Sequence, residues 1–320
     1  MTQILAVGEV MVELAPAGEA HGKKLLALGY AGDTYNTAVY LSRLGVKTAY
    51  FTRLGDDPYS AEAIQTMGRE GLDTASVEMV PGRTPGLYLI ANQPNGERHF
   101  SFWRSQSPAR EMFSTAVSIA ALEERLQDAQ HVYFSGITLG ILSDETRSRF
   151  MRALRNFRAS GGKVIFDNNY RPQLWRDRVE AEYAMTVALN LTDIALLTDD
   201  DATRLWGDPT PAAMQARCLA AGVAEVAIKC GPAPVQLALR PEGGAYAEHY
   251  SVPVAPVERV VDTTAAGDSF NAGYLFARLR GEDPVAAAVW GCRCAAVVIQ
   301  HRGAIVDREV FAAALSQPRP

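Results

Sequence analysis

The chain of 320 residues balances 31 Lys and Arg against 36 Asp and Glu, a net charge of −5, with 21% charged and 48% hydrophobic residues. This is the composition of an ordinary folded chain and excludes wholesale disorder. No basic run is long enough to serve a nucleic-acid partner. Membrane insertion and secretion are equally unmarked, because Glu9 and Glu13 interrupt the apolar start and Arg293 breaks the run near 285–299.

From the N-terminus, the run Ile4, Leu5, Ala6, Val7 predicts a buried strand ending at Gly8 and Glu9. Apolar positions Tyr35, Ala38, Val39, Leu41 and Leu44 recur at helical spacing and predict a helix over 33–44 that stops at Gly45. A strand over 47–52 and a helix over 58–70 follow. Segments 86–92 and 97–104 flank Asn95-Gly96, a strong hairpin signal. This hairpin reads either as an antiparallel extension or as a flap over a cleft. Strand and helix patterns then alternate: strands at 132–136, 164–167, 194–198 and 225–229, helices at 146–159, 180–190 and 211–221. Repeated βα units predict an α/β fold with a mostly parallel sheet covered by helices on both sides, and ligands in such sheets collect at the carboxyl ends of the strands. Neither a repeat nor a long linker divides the chain.

The last informative stretch is residues 260–273. Val252, Val254, Val257, Val260 and Val261 predict a strand, small residues 265–267 a tight turn, and Phe270, Tyr274, Leu275 and Leu279 the apolar side of a helix. A helix start directs unpaired N–H groups and positive dipole at its surroundings, so this turn is an anion site with the carboxylate of Asp268 at its mouth. Taken alone, Asp268 and Ser269 are also common first-turn residues of any helix. No phosphate-binding Gly-x-x-x-x-Gly-Lys motif and no Gly-x-Gly-x-x-Gly follows a strand. Cys218, Cys230, Cys292 and Cys294 lack a zinc-like spacing and read as buried free thiols of a cytoplasmic protein.

The string Asp-Thr-Thr-Ala-Ala-Gly-Asp-Ser-Phe-Asn-Ala-Gly, residues 262–273, resembles the C-terminal signature of the ribokinase-like (PfkB) carbohydrate kinases. Many members have Gly where this chain has Ala265 or Ala266. The resemblance implies a three-layer αβα domain spanning 1–320 with a small β-lid built from about 10–32 and 84–105. It implies ATP as phosphoryl donor with Mg²⁺, Asp268 as catalytic base, and an anion hole from the backbone of Ala265, Ala266, Gly267 and Asp268. An Asp at a helix start is expected to be a weak base, with a pKa at or below about 4. Lys229 and the turn at Gly231 fall near the nucleotide. Thr198-x-x-Asp201 stands where the family has Asn-x-x-Glu, placing Thr198 by the nucleotide and Asp201 in the Mg²⁺ environment, although Asp199, Asp200 and Asp201 also read as an acidic helix cap. Asp262 and Thr264 stand at the family's monovalent-cation site, which makes K⁺ a candidate activator.

On the acceptor side the resemblance places Gly8, Glu9, residues 31–36 and the 86–104 hairpin at the pocket and assigns Gly32, Asp33 and Asn36 to sugar hydroxyls, while Asp33 reads equally as a helix cap. Arg104 on the hairpin and Arg171 in Asp-Asn-Asn-Tyr-Arg-Pro are each unremarkable alone. Together they suit an acceptor bearing a carboxylate, which Arg binds in bidentate fashion. With Tyr88 and Phe102 they resemble the 2-keto-3-deoxygluconate kinase branch. A neutral-sugar kinase of the same family (fructokinase or ribokinase) is the alternative, and a catalytically silent sugar- or nucleotide-binding regulator is the remote one. Relatives pair through the lid, so a homo-oligomer is an open option.

Overall fold

The computed structural model describes residues 2–92, 98–240 and 247–316. The chain opens with β1 (Thr2–Val7), β2 (Met11–Ala20), β3 (Lys23–Ala31), α1 (Asp33–Arg43), β4 (Thr48–Gly55), α2 (Pro58–Arg69) and β5 (Val77–Val80). Then come β6 (Gly86–Asn92), β7 (Arg98–Trp103), α3 (Ala116–Asp128), β8 (Ala129–Ser135), α4 (Gly136–Ile141), α5 (Asp144–Ala159) and β9 (Lys163–Asp167). The second half holds α6 (Arg178–Leu189), β10 (Ile194–Thr198), α7 (Asp199–Trp206), α8 (Pro211–Ala220) and β11 (Glu225–Cys230). It closes with β12 (Ala233–Leu239), β13 (Glu248–Val252), α9 (Ala266–Leu279), α10 (Pro284–Val298) and α11 (Arg308–Ser316).

Among the described residues, nine strands form one sheet in the order β13-β12-β11-β10-β9-β8-β1-β4-β5. Pairing is parallel from β5 to β11, and β12 pairs antiparallel with both β11 and β13. Alternate residues of each central strand face opposite cores. Leu5, Val7, Val132, Phe134, Val164 and Phe166 enter one apolar cluster, while Ile4, Ala6, Tyr133 and Ile165 enter the other. Both faces are therefore covered, as the near-continuous apolar runs required.

A second sheet, in the order β3-β2-β6-β7, draws on the two segments anticipated for the β-lid. The Asn95-Gly96 turn lies outside the described residues. Met11, Ala31, Tyr88 and Ile90 of this sheet pack with Ala304, and Ala265 and Ile305 lie against them, so the small sheet is seated on the turn before α9. Leu25, Leu26, Leu28, Phe102 and Trp103 of this sheet are exposed.

One expected element is absent. Residues 253–262 are not strand, and only Val252 of the apolar run belongs to one. Pro253 and Pro256 carry no N–H for a ladder, and the N–H groups of Val261 and Asp262 donate instead to the Ile299 carbonyl at 2.8 and 3.1 Å. The segment is thus tied to the end of α10. Helix α9 is fixed at its far end by Arg278, whose guanidinium reaches both oxygens of Glu225 at 2.8 and 2.9 Å, and by Tyr274, which donates to Glu225 at 2.7 Å. Glu225 opens β11, so this anchor holds the start of α9 at the carboxyl edge of the sheet.

Candidate active site

The turn that opens α9 is built by Asp262. Its carboxylate accepts from the N–H of Thr264 at 2.9 Å and of Gly303 at 2.6 Å, joining the 262–264 and 299–304 segments. Ala265 then takes a left-handed conformation (φ 59°, ψ 15°), which costs an Ala roughly 1–2 kcal/mol. The N–H of Ala266 donates to the Thr263 carbonyl at 3.2 Å, so it is not available to a ligand as the sequence led us to expect. Gly267 and Asp268 keep N–H groups with no acceptor among the described residues. The anion site therefore keeps the helix-start donors of Gly267 and Asp268 without that of Ala266, at the positive end of a 14-residue helix.

Asp268 is buried, and its Oδ2 accepts from Asn36 Nδ2 at 2.8 Å. Thr37 Oγ1 donates to its backbone carbonyl at 3.1 Å. Burial first, and then the neighbouring carboxylate of Asp33, push the Asp268 carboxyl up to about 8 against the lowering pull of Asn36 and Lys229. The expectation of a pKa near 4 is overturned, because desolvation and like charge outweigh the helix start. The folded chain holds a proton here that the unfolded chain releases near 4. This group consequently favours folding at the acid end of that window, and its contribution is lost as pH rises through about 8.

The expected acceptor residues reach the same edge with partners of their own. Gly32 matters less for ligand approach than for packing: a Cβ there would stand 2.1 Å from the Glu9 carbonyl oxygen. Asp33 opens α1, accepts from Asn169 Nδ2 at 2.9 Å, and is itself pushed up by burial. Asn36 is committed to Asp268. Tyr88 is buried with its hydroxyl on Glu13, and its ring lies 5.7 Å from that of Phe102. Arg104 lies over the Phe102 ring and bonds the buried Glu9, leaving its Nε and Glu9 Oε1 without partners among the described residues. Arg171 is half-exposed, with its Nη1 on the Tyr170 carbonyl at 2.9 Å and on Asp201 Oδ2 at 3.1 Å. Its remaining nitrogens have no partner among the described residues.

On the nucleotide side, Thr198 ends β10, with its N–H and carbonyl held by Asn168 at 2.9 and 3.1 Å. Gly231 makes the β11–β12 turn with φ 56°. Asp201 is buried, and its two oxygens are taken by Arg171 and Arg204. A carboxylate neutralised by two guanidinium groups is a poor direct metal ligand, so the structure gives Asp201 the job of holding Arg171. Lys229 is buried and bonds Asp167 at 3.2 Å and Asn271 at 2.9 Å.

The residues that sequence reading missed are the internal partners Asn271, Tyr133 and Thr37; Glu9 falls in the acceptor pocket that the resemblance implies, and Asp167 and Asn169 in the Asp-Asn-Asn-Tyr-Arg-Pro string. Asn271 alone carried a signal, because it follows Asp268 by three residues and shares its helix face. Among the described residues the cysteines are all free, with Cys218 and Cys294 buried.

Spare N–H groups and a buried carboxylate at one helix start bring a phosphate and a hydroxyl to a single spot, which is the task of an ATP-dependent carbohydrate kinase. The chain belongs to the pfkB family of carbohydrate kinases, whose model matches residues 1–310. It is 41% identical over 317 residues to the 2-dehydro-3-deoxygluconokinase of Escherichia coli (strain K12), across 97% of this chain and 99% of that protein. A fructokinase from Vibrio alginolyticus is more distant, 25% identical over 311 residues and 95% of each chain. The crystal structure of a PfkB protein from Polaromonas sp. JS666 shares the fold with a TM-score of 0.83 at 25% identity, over 98% of this chain and 100% of that one.

A methyl group at Gly267 would meet only Lys229 Nζ, at 3.6 Å. Gly267→Ala should therefore fold normally, with an unfolding free energy within about 1 kcal/mol of wild type, while the methyl crowds the two free N–H groups. Turnover should fall by a factor on the order of 100. Undiminished turnover would show that the phosphoryl group does not sit at this turn.

Proposed function

We propose that the protein transfers the γ-phosphoryl group of ATP to the 6-hydroxyl of 2-dehydro-3-deoxy-D-gluconate, giving the 6-phosphate and ADP. The observation that carries this reading is the buried Asp268 beside the unsatisfied N–H groups of Gly267 and Asp268, with Arg171 offering free guanidinium nitrogens at the same sheet edge. The name of the Escherichia coli relative supports the choice of acceptor.

In this reading the two N–H groups receive the phosphoryl oxygens, with Thr198 and the Gly231 turn on the nucleotide side and the small sheet as a lid over the acceptor. Asp268 Oδ takes the hydroxyl proton as the new O–P bond forms. The bond from the γ-phosphorus to its bridging oxygen breaks, and the electron pair leaves with ADP. Little early deprotonation is needed in a loose phosphoryl transfer, so positioning and charge neutralisation carry most of the rate. Mg²⁺ supplies charge neutralisation on the phosphates. No group of three or more His, Cys, Asp or Glu forms a metal cage among the described residues, which fits an ion held mainly by phosphates and water. Asp199 and Asp200, nearer solvent than Asp201 at the start of α7, are the carboxylates that would reach its water shell.

The acid group of the substrate falls to Arg171 and Arg104. Arg171 is presented by Asp201, and Arg104 by Glu9. Four unpaired thiols fit residence in a reducing cytoplasm.

A coupled ADP-release assay over acid and neutral sugars should show turnover preferentially with 2-dehydro-3-deoxygluconate. Asp268→Asn should abolish it while leaving ATP affinity within a few-fold, and an active Asn variant would remove Asp268 from the chemistry. Arg171→Ala should raise KM for the acid sugar about tenfold or more, the weight of one charge-assisted contact, with little change for fructose. Equal effects on both sugars would favour the neutral-sugar reading. A monovalent cation held by Asp262, Thr264 and carbonyls near 296–303 should make the rate depend on K⁺. Equal rates in K⁺ and in tetramethylammonium would sink that site.

A further inference from the structure

Beneath the 265–268 turn lies a closed polar cluster that the direct contacts of the reaction do not use. The Lys229 ammonium donates to Asp167 Oδ2 at 3.2 Å and to Asn271 Oδ1 at 2.9 Å. Asn271 Nδ2 donates in turn to the same Asp167 oxygen at 2.6 Å and to the Tyr133 hydroxyl at 3.1 Å. Lys can only donate and a carboxylate can only accept, so the amide of Asn271 has one orientation that serves both. The Tyr133 hydroxyl meets Thr37 Oγ1 at 3.2 Å, and Thr37 Oγ1 also lies 3.1 Å from the Asp268 carbonyl oxygen. Lys229 and Asp167 expose only 9% and 3% of their side chains. A buried ion pair is a poor source of stability compared with apolar residues of the same volume, which directs attention to what its charges face.

They face the reacting end of α9. A Cβ at Gly267 would lie 3.6 Å from Lys229 Nζ, so the ammonium stands close to the Gly267 backbone at the start of α9. Around Asp268 the charged and titratable neighbours are Asp33 and Tyr40 from α1, Tyr88 from β6, Tyr133 from β8, Asp167 from β9 and Lys229 from β11. Burial pushes the tyrosine hydroxyls upward, which keeps them neutral. Three carboxylates thus share the site, with Lys229 the buried cation beside them and the half-exposed Arg171 acting on Asp33 from the edge.

We propose that Lys229 and Asp167 are a positioning pair for phosphoryl transfer, in which Asp167 and Asn271 clamp the ammonium under the 265–268 turn as a fixed positive charge balancing the carboxylates around the acceptor hydroxyl. The pair acts through Asp268 and the turn, and it rests on the reading of Asp268 as the base. Lys229 is then not primarily a ligand of the nucleotide.

The test compares kcat/KM for the acceptor against pH in wild type, Lys229→Met and Asp167→Asn, together with KM for ATP. Below its limb kcat/KM changes tenfold per pH unit as the base of the free enzyme ionises. Asp167→Asn removes a carboxylate and keeps the cation, so its limb should move to lower pH. Lys229→Met removes the cation, so its limb should move to higher pH, each by about half a unit or more, with KM for ATP within about threefold. Opposite displacements are not what a loosened fold produces. If Lys229→Met does not fold, the direction of the Asp167→Asn limb decides alone. Unmoved limbs, displacements of one sign, or a large rise in ATP KM with the limb in place would overturn the proposal. Wild type inert toward every sugar would instead overturn the kinase reading beneath it.

Discussion

The start of α9 has to be in two relationships at once. In the proposed reaction its free N–H groups face a phosphate while the side chain of Asp268 faces a hydroxyl, in a pocket already crowded with carboxylates. The Glu225–Arg278 anchor, the Asp262 brace and the Asn36 hydrogen bond each fix one end of this arrangement. Each spans elements far apart in the chain, so the site exists only when the whole sheet is assembled. The left-handed Ala265 is local strain retained at that point, where tertiary packing against the second sheet can hold it.

Charge is handled by pairing rather than by exposure. Glu9 holds Arg104, Asp201 holds Arg171, and Asp167 holds Lys229. Each cationic residue expected at a ligand is therefore presented by a buried acid that keeps it extended and oriented. A bidentate guanidinium contact is worth most when it is so preorganised. A carboxylate ligand meeting Arg171 would find some nitrogens free and one already committed, which restricts the angles of approach.

Much of this was legible in the sequence because it is periodic or contiguous. The βα alternation, the start of α1 at Asp33 and the small-residue turn ahead of Asp268 all appear in the structure at or near their expected bounds. What escaped was contact between distant segments. Nothing in the string 229–231 announces that Lys229 turns inward to Asp167, 62 positions earlier, and nothing near Asp268 announces Asp33. The misjudged pKa of Asp268 follows directly: the helix start is visible locally, while the desolvation and like charge that defeat it arrive only with the fold. The false strand over 253–262 has a simpler origin, since its alternating valines were weighed above the two prolines that deny it a ladder.

The central claim is that burial, followed by the neighbouring carboxylates, and not the helix start, governs Asp268. A titration of the Asp268 side-chain carboxyl by ¹³C NMR in the ligand-free protein, assigned by its loss in Asp268→Asn, tests this most directly. The account predicts a midpoint at about 8. A midpoint near the ordinary value of 3.8 would contradict it.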